Sequence, residues 1–252
     1  MHPDVHSDKP GACPRCGMTL VLHVPERIEY LLELSHSPEV LKAGAHATLN
    51  IRVFDPQTGT PVNHFEMVHE RLMHVFLVSE NLEFFAHMHG VPQADGSFSL
   101  PMRLPYGGTY RVLADYYPSR SVPQLTVKTL IVAGDPKPSK LEPSLTPSKS
   151  ENLTASLRMD PEQPFAGQEI KLFLTLDPVE GLEPYLGAWG HMLAASEDLI
   201  DLVHLHPVIA DGGPVVQFNL IFPRPGLYRM WIQFQRQGAV NTVTFTVPVK
   251  EL

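Results

Sequence analysis

Six of the 13 histidines fall into two groups that repeat one spacing along the chain. In chain order the groups are His74, His87 and His89, then His191, His204 and His206. Imidazole nitrogens bind zinc and copper at about 2.0–2.1 Å. The first group is the stronger candidate metal site, because additional donors such as His69 lie near it. The second is equally explained by duplication, and in either group the histidines could serve only local hydrogen bonds.

The spacing within each group suits a β-hairpin. A turn centred on Asn81 and Leu82 places His74 opposite His89, and His87 then lies on the same face because side chains alternate along a strand. Side chains in such positions are about 5–8 Å apart, close enough to share one ion. A register shift of one residue would move His74 to the other face.

Both cysteines lie near the start of the chain, as Cys13 and Cys16. Two thiolates at this spacing occur in metal knuckles, and His2 lies upstream as an imidazole donor. Thiolates with imidazoles suit Zn(II), whereas thioethers such as those of Met1 and Met18 favour Cu(I). A disulfide across so short a loop would be strained, and no βαβ pattern indicates a thioredoxin-like role. Metal binding is therefore the favoured interpretation.

Three short motifs in this segment resemble a known family. They are Met1-His2-Pro3, Lys9-Pro10-Gly11 and Cys13-Pro14-Arg15-Cys16-Gly17-Met18. Together they resemble the short heavy-metal-binding domain of copper-translocating P-type ATPases and metal-efflux adaptors. The resemblance implies that Met1, His2, Cys13, Cys16 and Met18 are metal donors. The family's first Cys-Pro is absent, so either this segment lacks one ligand or the chain begins at an internal methionine.

The rest of the chain reads as an all-β protein. Apolar runs rich in β-branched and aromatic residues alternate with turn residues, and the 25 prolines disfavour helices. The two halves repeat each other with a period of about 117 residues, which indicates a duplicated domain. We expect two tandem Ig-like or cupredoxin-like antiparallel β-sandwiches behind a short N-terminal metal knuckle. Expected boundaries are 1–24 for the knuckle, 28–134 and 153–252 for the sandwiches, and 135–152 for a Pro-rich linker.

Two tyrosines occupy equivalent places in the repeats. Tyr110 and Tyr228 each follow a glycine-containing turn at the start of a predicted strand. A tyrosine at such a strand entry commonly packs in the core and hydrogen-bonds across a corner of a sandwich. We therefore predict a structural role for both.

Charge and hydropathy exclude several classes of protein. The net charge of −8 argues against a nucleic-acid partner, and no apolar run approaches the ~18 residues of a membrane span. Residues 1–20 lack the pattern of a signal peptide. A cell-envelope or periplasmic location is expected if the natural start lies upstream of Met1, and a cytoplasmic one otherwise.

These observations favour a non-enzymatic protein of copper or zinc handling or resistance. Its partners would be the metal ion and a metal-efflux transporter or adaptor. The sandwiches also resemble, more loosely, bacterial β-sandwich proteins with His-x-His-Pro motifs that occur with metal-resistance modules: His204-Leu205-His206-Pro207 fits, whereas His87-Met88-His89-Gly90 lacks the proline. Two alternatives remain open. One is an Ig-like scaffold with incidental histidines, and the other is a His-ligated metalloenzyme, against which no convincing general base is found.

Overall fold

The computed structural model describes residues 7–11, 20 and 28–252. The chain divides into two compact units, Met1–Pro138 and Ser139–Leu252. Every named element in the described residues is a β-strand, and the paired strands run antiparallel. None of these residues belongs to a helix long and apolar enough to cross a membrane. The prediction of an all-β chain is confirmed.

The first unit is a sandwich of two four-stranded sheets, β1-β2-β6-β5 and β4-β3-β7-β8. Its strands are β1 (Leu31–Ser37), β2 (His46–Phe54), β3 (Met73–Ser79), β4 (Phe85–His89), β5 (Val91–Pro92), β6 (Phe98–Arg103), β7 (Gly108–Tyr116) and β8 (Gln124–Val132). This is the strand order of Ig-like sandwiches. Alternate residues of both sheets, among them Leu49, Ile51, Val75, Leu77 and Val112, form its core.

The second unit repeats this plan. Its strands are β9 (Ser148–Lys149), β10 (Thr154–Asp160), β11 (Glu169–Asp177), β12 (Leu182–Glu183), β13 (His191–Ser196), β14 (Leu202–Leu205), β15 (Val215–Ile221), β16 (Gly226–Arg236) and β17 (Ala239–Val249). One sheet has the order β15-β11-β10-β9, and in the other β14, β13, β16 and β17 are successive neighbours, with β12 also pairing with β16. The predicted duplication is therefore present in three dimensions.

The segment 135–152, expected to be a linker, contributes to the second unit in its later part. Ser148–Lys149 forms β9 and pairs with β10. Ser144 and Thr246 exchange backbone hydrogen bonds of 3.0 and 2.9 Å. These bonds need partners that are distant in sequence, which proline content alone does not reveal.

The hairpin turns that precede β4 and β14 have the same geometry. The Leu82 amide donates to the Ser79 carbonyl at 2.9 Å, and the Leu199 amide donates to the Ser196 carbonyl at 2.9 Å. Leu82 (φ 58°) and Leu199 (φ 54°) both adopt the left-handed conformation. The prediction of a turn centred on Asn81 and Leu82 is confirmed, and this turn sets the register of the hairpin.

Both predicted structural tyrosines form a corner. Tyr110 is fully buried, and its hydroxyl donates to the Tyr106 carbonyl at 2.9 Å. Tyr228 is equally buried, and its hydroxyl lies 3.1 Å from the Arg224 carbonyl and donates to Asp201 Oδ2 at 2.7 Å. Burial, with Asp201 beside it, raises the pKa of Tyr228 to about 12. The structural interpretation of both residues is confirmed.

Candidate metal centre

The hairpin of β3 and β4 brings three imidazoles together in the first unit. His74 pairs directly with His89, and Phe76 pairs with His87. The predicted register is confirmed, so His74, His87 and His89 share a face. One nitrogen from each ring lies within 4.8 Å of the others. The strand pairing alone therefore assembles a set of three nitrogen donors.

His74 is the buried member of this triad, with only 3% of its surface exposed. Its Nε2 lies 3.0 Å from the Val68 carbonyl oxygen, and its Nδ1 lies 3.0 Å from His87 Nε2. A carbonyl oxygen can only accept, so His74 Nε2 carries the proton. In the neutral ring Nδ1 then has a lone pair, and that lone pair faces the other imidazoles.

A tight turn supplies the Val68 carbonyl. Val68 and Arg71 exchange backbone hydrogen bonds of 2.9 and 3.1 Å, and the two residues between them, His69 (φ 48°) and Glu70 (φ 62°), are left-handed. Two successive left-handed residues define a type I′ turn. Neither is Gly or Asn, so the usual sequence signal of this turn is missing and sequence reasoning did not find it. The turn also places the His69 ring 6.5 Å from that of His74.

His89 is kept neutral by its surroundings. Burial and the positive charge of Arg71 lower its pKa from 6.5 to about 4. Its Nε2 is buried and makes no hydrogen bond within the described part of the chain. The ring centroid lies 5.0 Å from that of His74 and 4.7 Å from that of His87. His89 therefore stays a neutral imidazole, with one N–H and one lone-pair nitrogen, in mild acid as well as at neutral pH.

An aromatic contact holds the third ring. The His87 ring stacks on Phe76 with centroids 4.3 Å apart and planes 20° apart. Because Phe76 is itself 1% exposed, this contact restricts the rotation of the half-buried His87 side chain. The Nε2 atom of His87 is thereby held towards His74.

One small cavity lies beside the buried ring of the triad. A cavity of ≈ 10 Å³ adjoins His74, and its lining includes Arg71, Asp115 and Tyr117. About 10–15 Å³ is the room that one water molecule needs. This cavity therefore has space for a water molecule and not for an organic substrate.

The second group, His191, His204 and His206, also converges, with one nitrogen of each ring within 4.8 Å of the others.

The five predicted donors of the N-terminal segment, Met1, His2, Cys13, Cys16 and Met18, lie outside the described residues. Two described residues flank the stretch 12–19, and they lie next to each other in space: the Leu20 amide donates to the Gly11 carbonyl at 2.7 Å.

Two family models match the sequence. The model described as a domain of unknown function, DUF8832, matches residues 26–132 and 148–251. The model described as a heavy metal binding domain matches residues 1–24, the segment in which the resemblance to such domains was identified. No curated protein matches the sequence at a significant level.

The solved structures to which this chain is similar include adhesins. FdeC, an Escherichia coli adhesin, is 14% identical, with 92% of this chain and 67% of that chain covered and a TM-score of 0.31. The Yersinia pseudotuberculosis adhesin InvE is 10% identical, with 88% and 61% covered and a TM-score of 0.29. The fibronectin(III)-like modules of Clostridium thermocellum CbhA are 12% identical, with 87% and 95% covered and a TM-score of 0.24. This chain thus spans less than two thirds of InvE, and likenesses at these scores carry no argument about function.

Proposed function

This chain belongs to the DUF8832 family, and we propose that it is a non-enzymatic protein of copper or zinc handling. In this proposal the N-terminal segment captures the ion with Met1, His2, Cys13, Cys16 and Met18, and the triad of the first repeat holds or receives it. The heavy metal binding domain match at residues 1–24 supports the first part. The convergence of three imidazoles on an anchored His74 carries the second.

The distances in the triad suit a metal ion. Two ligands at 2.0–2.1 Å from a tetrahedral ion are about 3.3 Å apart. His74 Nδ1 and His87 Nε2 are 3.0 Å apart, joined by a hydrogen bond. An ion that replaces the shared proton requires the rings to separate by only a few tenths of an ångström. Little reorganisation of these two rings would therefore oppose binding, and the nitrogen of the third ring lies within 4.8 Å of both.

The outer contacts of His74 are those of a metal ligand. Imidazoles that bind metals usually donate their other N–H to a carbonyl or carboxylate, which fixes the tautomer and the ring orientation. The bond of His74 Nε2 to the Val68 carbonyl does this in the first repeat. A purely structural histidine would need such a bond as well, but it would not need an imidazole at its second nitrogen and another imidazole beside it.

Protonation of His89 does not compete with the ion at neutral pH. Metal ligands must be deprotonated, so affinity falls where the ligand is protonated. The lowered pKa of His89, about 4, leaves this ring available well below neutrality. Transfer between the N-terminal segment and the triad would then be ligand exchange without a covalent step, and a metal-efflux transporter or adaptor would be the protein partner.

Metal titration of the full chain tests the proposal. Zn(II), Cu(II) and Cu(I) are added to the parent and to two double variants, C13S/C16S and H87Q/H89Q, with H46Q as the control because His46 is exposed on β2 in the other sheet. We expect each double variant to lose one equivalent and H46Q to lose none. An ion at 100 times its dissociation constant should raise the free energy of unfolding by about 2.7 kcal/mol.

The alternatives give different results. If the chain is a scaffold with incidental histidines, both double variants bind as the parent does and their melting temperatures respond equally to metal. If only C13S/C16S binds as many ions as the parent, the proposed capture of the ion by the N-terminal segment is wrong. If only H87Q/H89Q does so, the proposed metal site at the first triad is wrong.

A further inference from the structure

All histidines of the second unit meet at one place. Residues 139–252 contain three, and these are His191, His204 and His206. His191 begins β13, His204 lies in β14, and His206 follows β14 by one residue. The β13–β14 register, in which Met192 pairs with Leu205, places His206 opposite His191. Histidines scattered over a β-sandwich would not be expected to share one face and one end of a hairpin.

The three rings are in contact. His206 Nε2 lies 3.0 Å from His191 Nδ1. The His204 and His206 centroids are 4.6 Å apart, those of His191 and His206 are 4.6 Å apart, and those of His191 and His204 are 6.1 Å apart. His191 is 1% exposed, whereas the other two are half-buried. The group therefore has a fixed interior ring and two outer rings that solvent can reach.

A backbone carbonyl anchors the interior ring here as well. His191 Nε2 lies 2.8 Å from the Tyr185 carbonyl oxygen, so Nε2 carries the proton and Nδ1 presents a lone pair. The carbonyl comes from a type I′ turn in which Leu186 (φ 51°) and Gly187 (φ 71°) are both left-handed. The edge of the Tyr185 ring also packs against the His191 ring, with centroids 5.4 Å apart.

The surroundings of the two triads differ, although both triads keep three imidazoles and a carbonyl that anchors the buried ring. His191 has Gln233 as its neighbour on β16, whereas His74 has Asp115 on β7. His204 pairs with Leu193, whereas His87 pairs with Phe76. Ala188 closes the turn where Arg71 does in the first unit. The three imidazoles and the carbonyl anchor are thus the same in both repeats, whereas the side chains around them differ. A purely structural hydrogen-bond network would not require all three imidazoles to be kept.

We propose that the second repeat is itself a transition-metal site, with His191 Nδ1, His204 and His206 as three imidazole ligands. The chemical class of the ligand is a borderline divalent ion such as Zn(II), Co(II) or Cu(II), which neutral imidazoles bind well. The 3.0 Å separation of His191 Nδ1 and His206 Nε2 is close to the ~3.3 Å expected of two ligands on one tetrahedral ion. Because all three ligands lie in one hairpin, the site fills independently of the N-terminal segment and of the first triad.

Binding to a full chain in which both cysteines and the two outer histidines of the first triad are replaced tests this site. The variant C13S/C16S/H87Q/H89Q is titrated with Co(II), whose d–d absorption reports tetrahedral coordination, and with Zn(II) by calorimetry. We expect one equivalent of either ion to bind. Adding H204Q/H206Q should abolish this binding, and adding H46Q should leave it unchanged. Loss of the metal in the H46Q control, or equal binding with and without H204Q/H206Q, would overturn the proposal, as would the absence of any binding to the starting variant.

The single variant H204Q distinguishes loss of a metal ligand from loss of the fold. H204Q removes one ligand and leaves the hydrogen bond between His206 and His191 in place. We expect a circular dichroism spectrum equal to that of the starting variant and an affinity at least tenfold lower. An unchanged affinity would contradict the assignment. Failure of the first triad or of the N-terminal segment to bind metal would leave this result unaffected, because the starting variant already lacks two proposed donors of each.

Discussion

His74 donates the proton on its Nε2 to the carbonyl oxygen of Val68 across 3.0 Å, and this bond decides what its other nitrogen can do. With Nε2 protonated, Nδ1 is the nitrogen with a lone pair, and it lies 3.0 Å from His87. The same relationship joins His191 to Tyr185 in the second repeat at 2.8 Å. In each repeat the anchoring carbonyl lies six residues before the histidine, at the first position of a type I′ turn.

Substitution of the third residue of each type I′ turn should change the free energy of unfolding, with opposite signs in the two turns. Glu70 (φ 62°) and Gly187 (φ 71°) occupy this position. The left-handed conformation costs a residue with a Cβ about 1–2 kcal/mol. We expect G187A to lower the free energy of unfolding by about that amount and E70G to raise it by up to about 1 kcal/mol, since glycine's entropy loss offsets part of the gain. Urea denaturation measures both changes in the free energy of unfolding. If the two variants shift it in the same direction, the assignment of the turns is wrong.

Acid should destabilise the metal-free chain through His89. Its pKa is about 4 in the folded state and 6.5 in the reference state, so between these values the unfolded chain binds more protons. Stability is therefore retained above pH 6.5 and falls as the pH decreases towards 4. The upper limit is about 3 kcal/mol, reduced by solvent screening because the ring is only partly buried.

The variant H89Q isolates this effect. It should show a smaller loss of stability than the parent between pH 7 and pH 4, measured by thermal or urea denaturation with a chelator present. H46Q, which changes an exposed histidine, is the matched control and should follow the parent. If H89Q and the parent lose the same stability on acidification, His89 is not the buried neutral group described above.

Arg71 should weaken metal binding by the first triad. Its charge contributes to the low pKa of His89, and the same charge repels an incoming cation. We expect R71Q to raise the pKa of His89 and to increase Zn(II) affinity about two- to fivefold at low salt, a modest gain because Arg71 is exposed. NMR titration of the imidazoles and calorimetry give the two quantities. R103Q, on β6 in the other sheet, should change neither, and a gain that persists at high salt would speak against a charge effect.

The tyrosine corners should affect stability and not metal binding. Y110F removes the hydroxyl that donates to the Tyr106 carbonyl and accepts from the Tyr106 amide. The hydroxyl that Y228F removes donates to the charged Asp201 carboxylate, so its cost should be larger: about 2–3 kcal/mol against about 1–2 kcal/mol. Chemical denaturation measures this order, and Zn(II) stoichiometry should equal that of the parent in both variants. A lost equivalent in either variant would show that the corner supports a metal site.

Much of the scaffold was predictable because it follows from local patterns. Alternating apolar residues indicated the sandwiches, and the turn at Asn81 and Leu82 fixed the register that places His74 opposite His89. The glycine-tyrosine pairs at the start of β7 and β16 predicted the corners. Each of these signals spans only a few residues, so the sequence carries it directly.

The anchors of the triads were not predictable. His69 and Glu70 give no turn signal, yet they adopt the turn that presents the Val68 carbonyl. The partner of the buried ring also differs, being His87 in the first repeat and His206 in the second, although the spacing is the same. Side-chain rotation selects this partner, and the neighbour of the buried histidine on the adjacent strand also differs, being Asp115 in the first repeat and Gln233 in the second.

The sequence alone determined the fold class, the duplication and the grouping of the histidines, because strand period and turn position decide which face a side chain occupies. The tertiary structure decided which nitrogen of His74 and His191 carries the proton and that the pKa of His89 is lowered to about 4, so that this ring stays neutral in mild acid. The reason is that both properties depend on burial and on backbone carbonyls brought close by the turns, and these exist only once the sheets have packed.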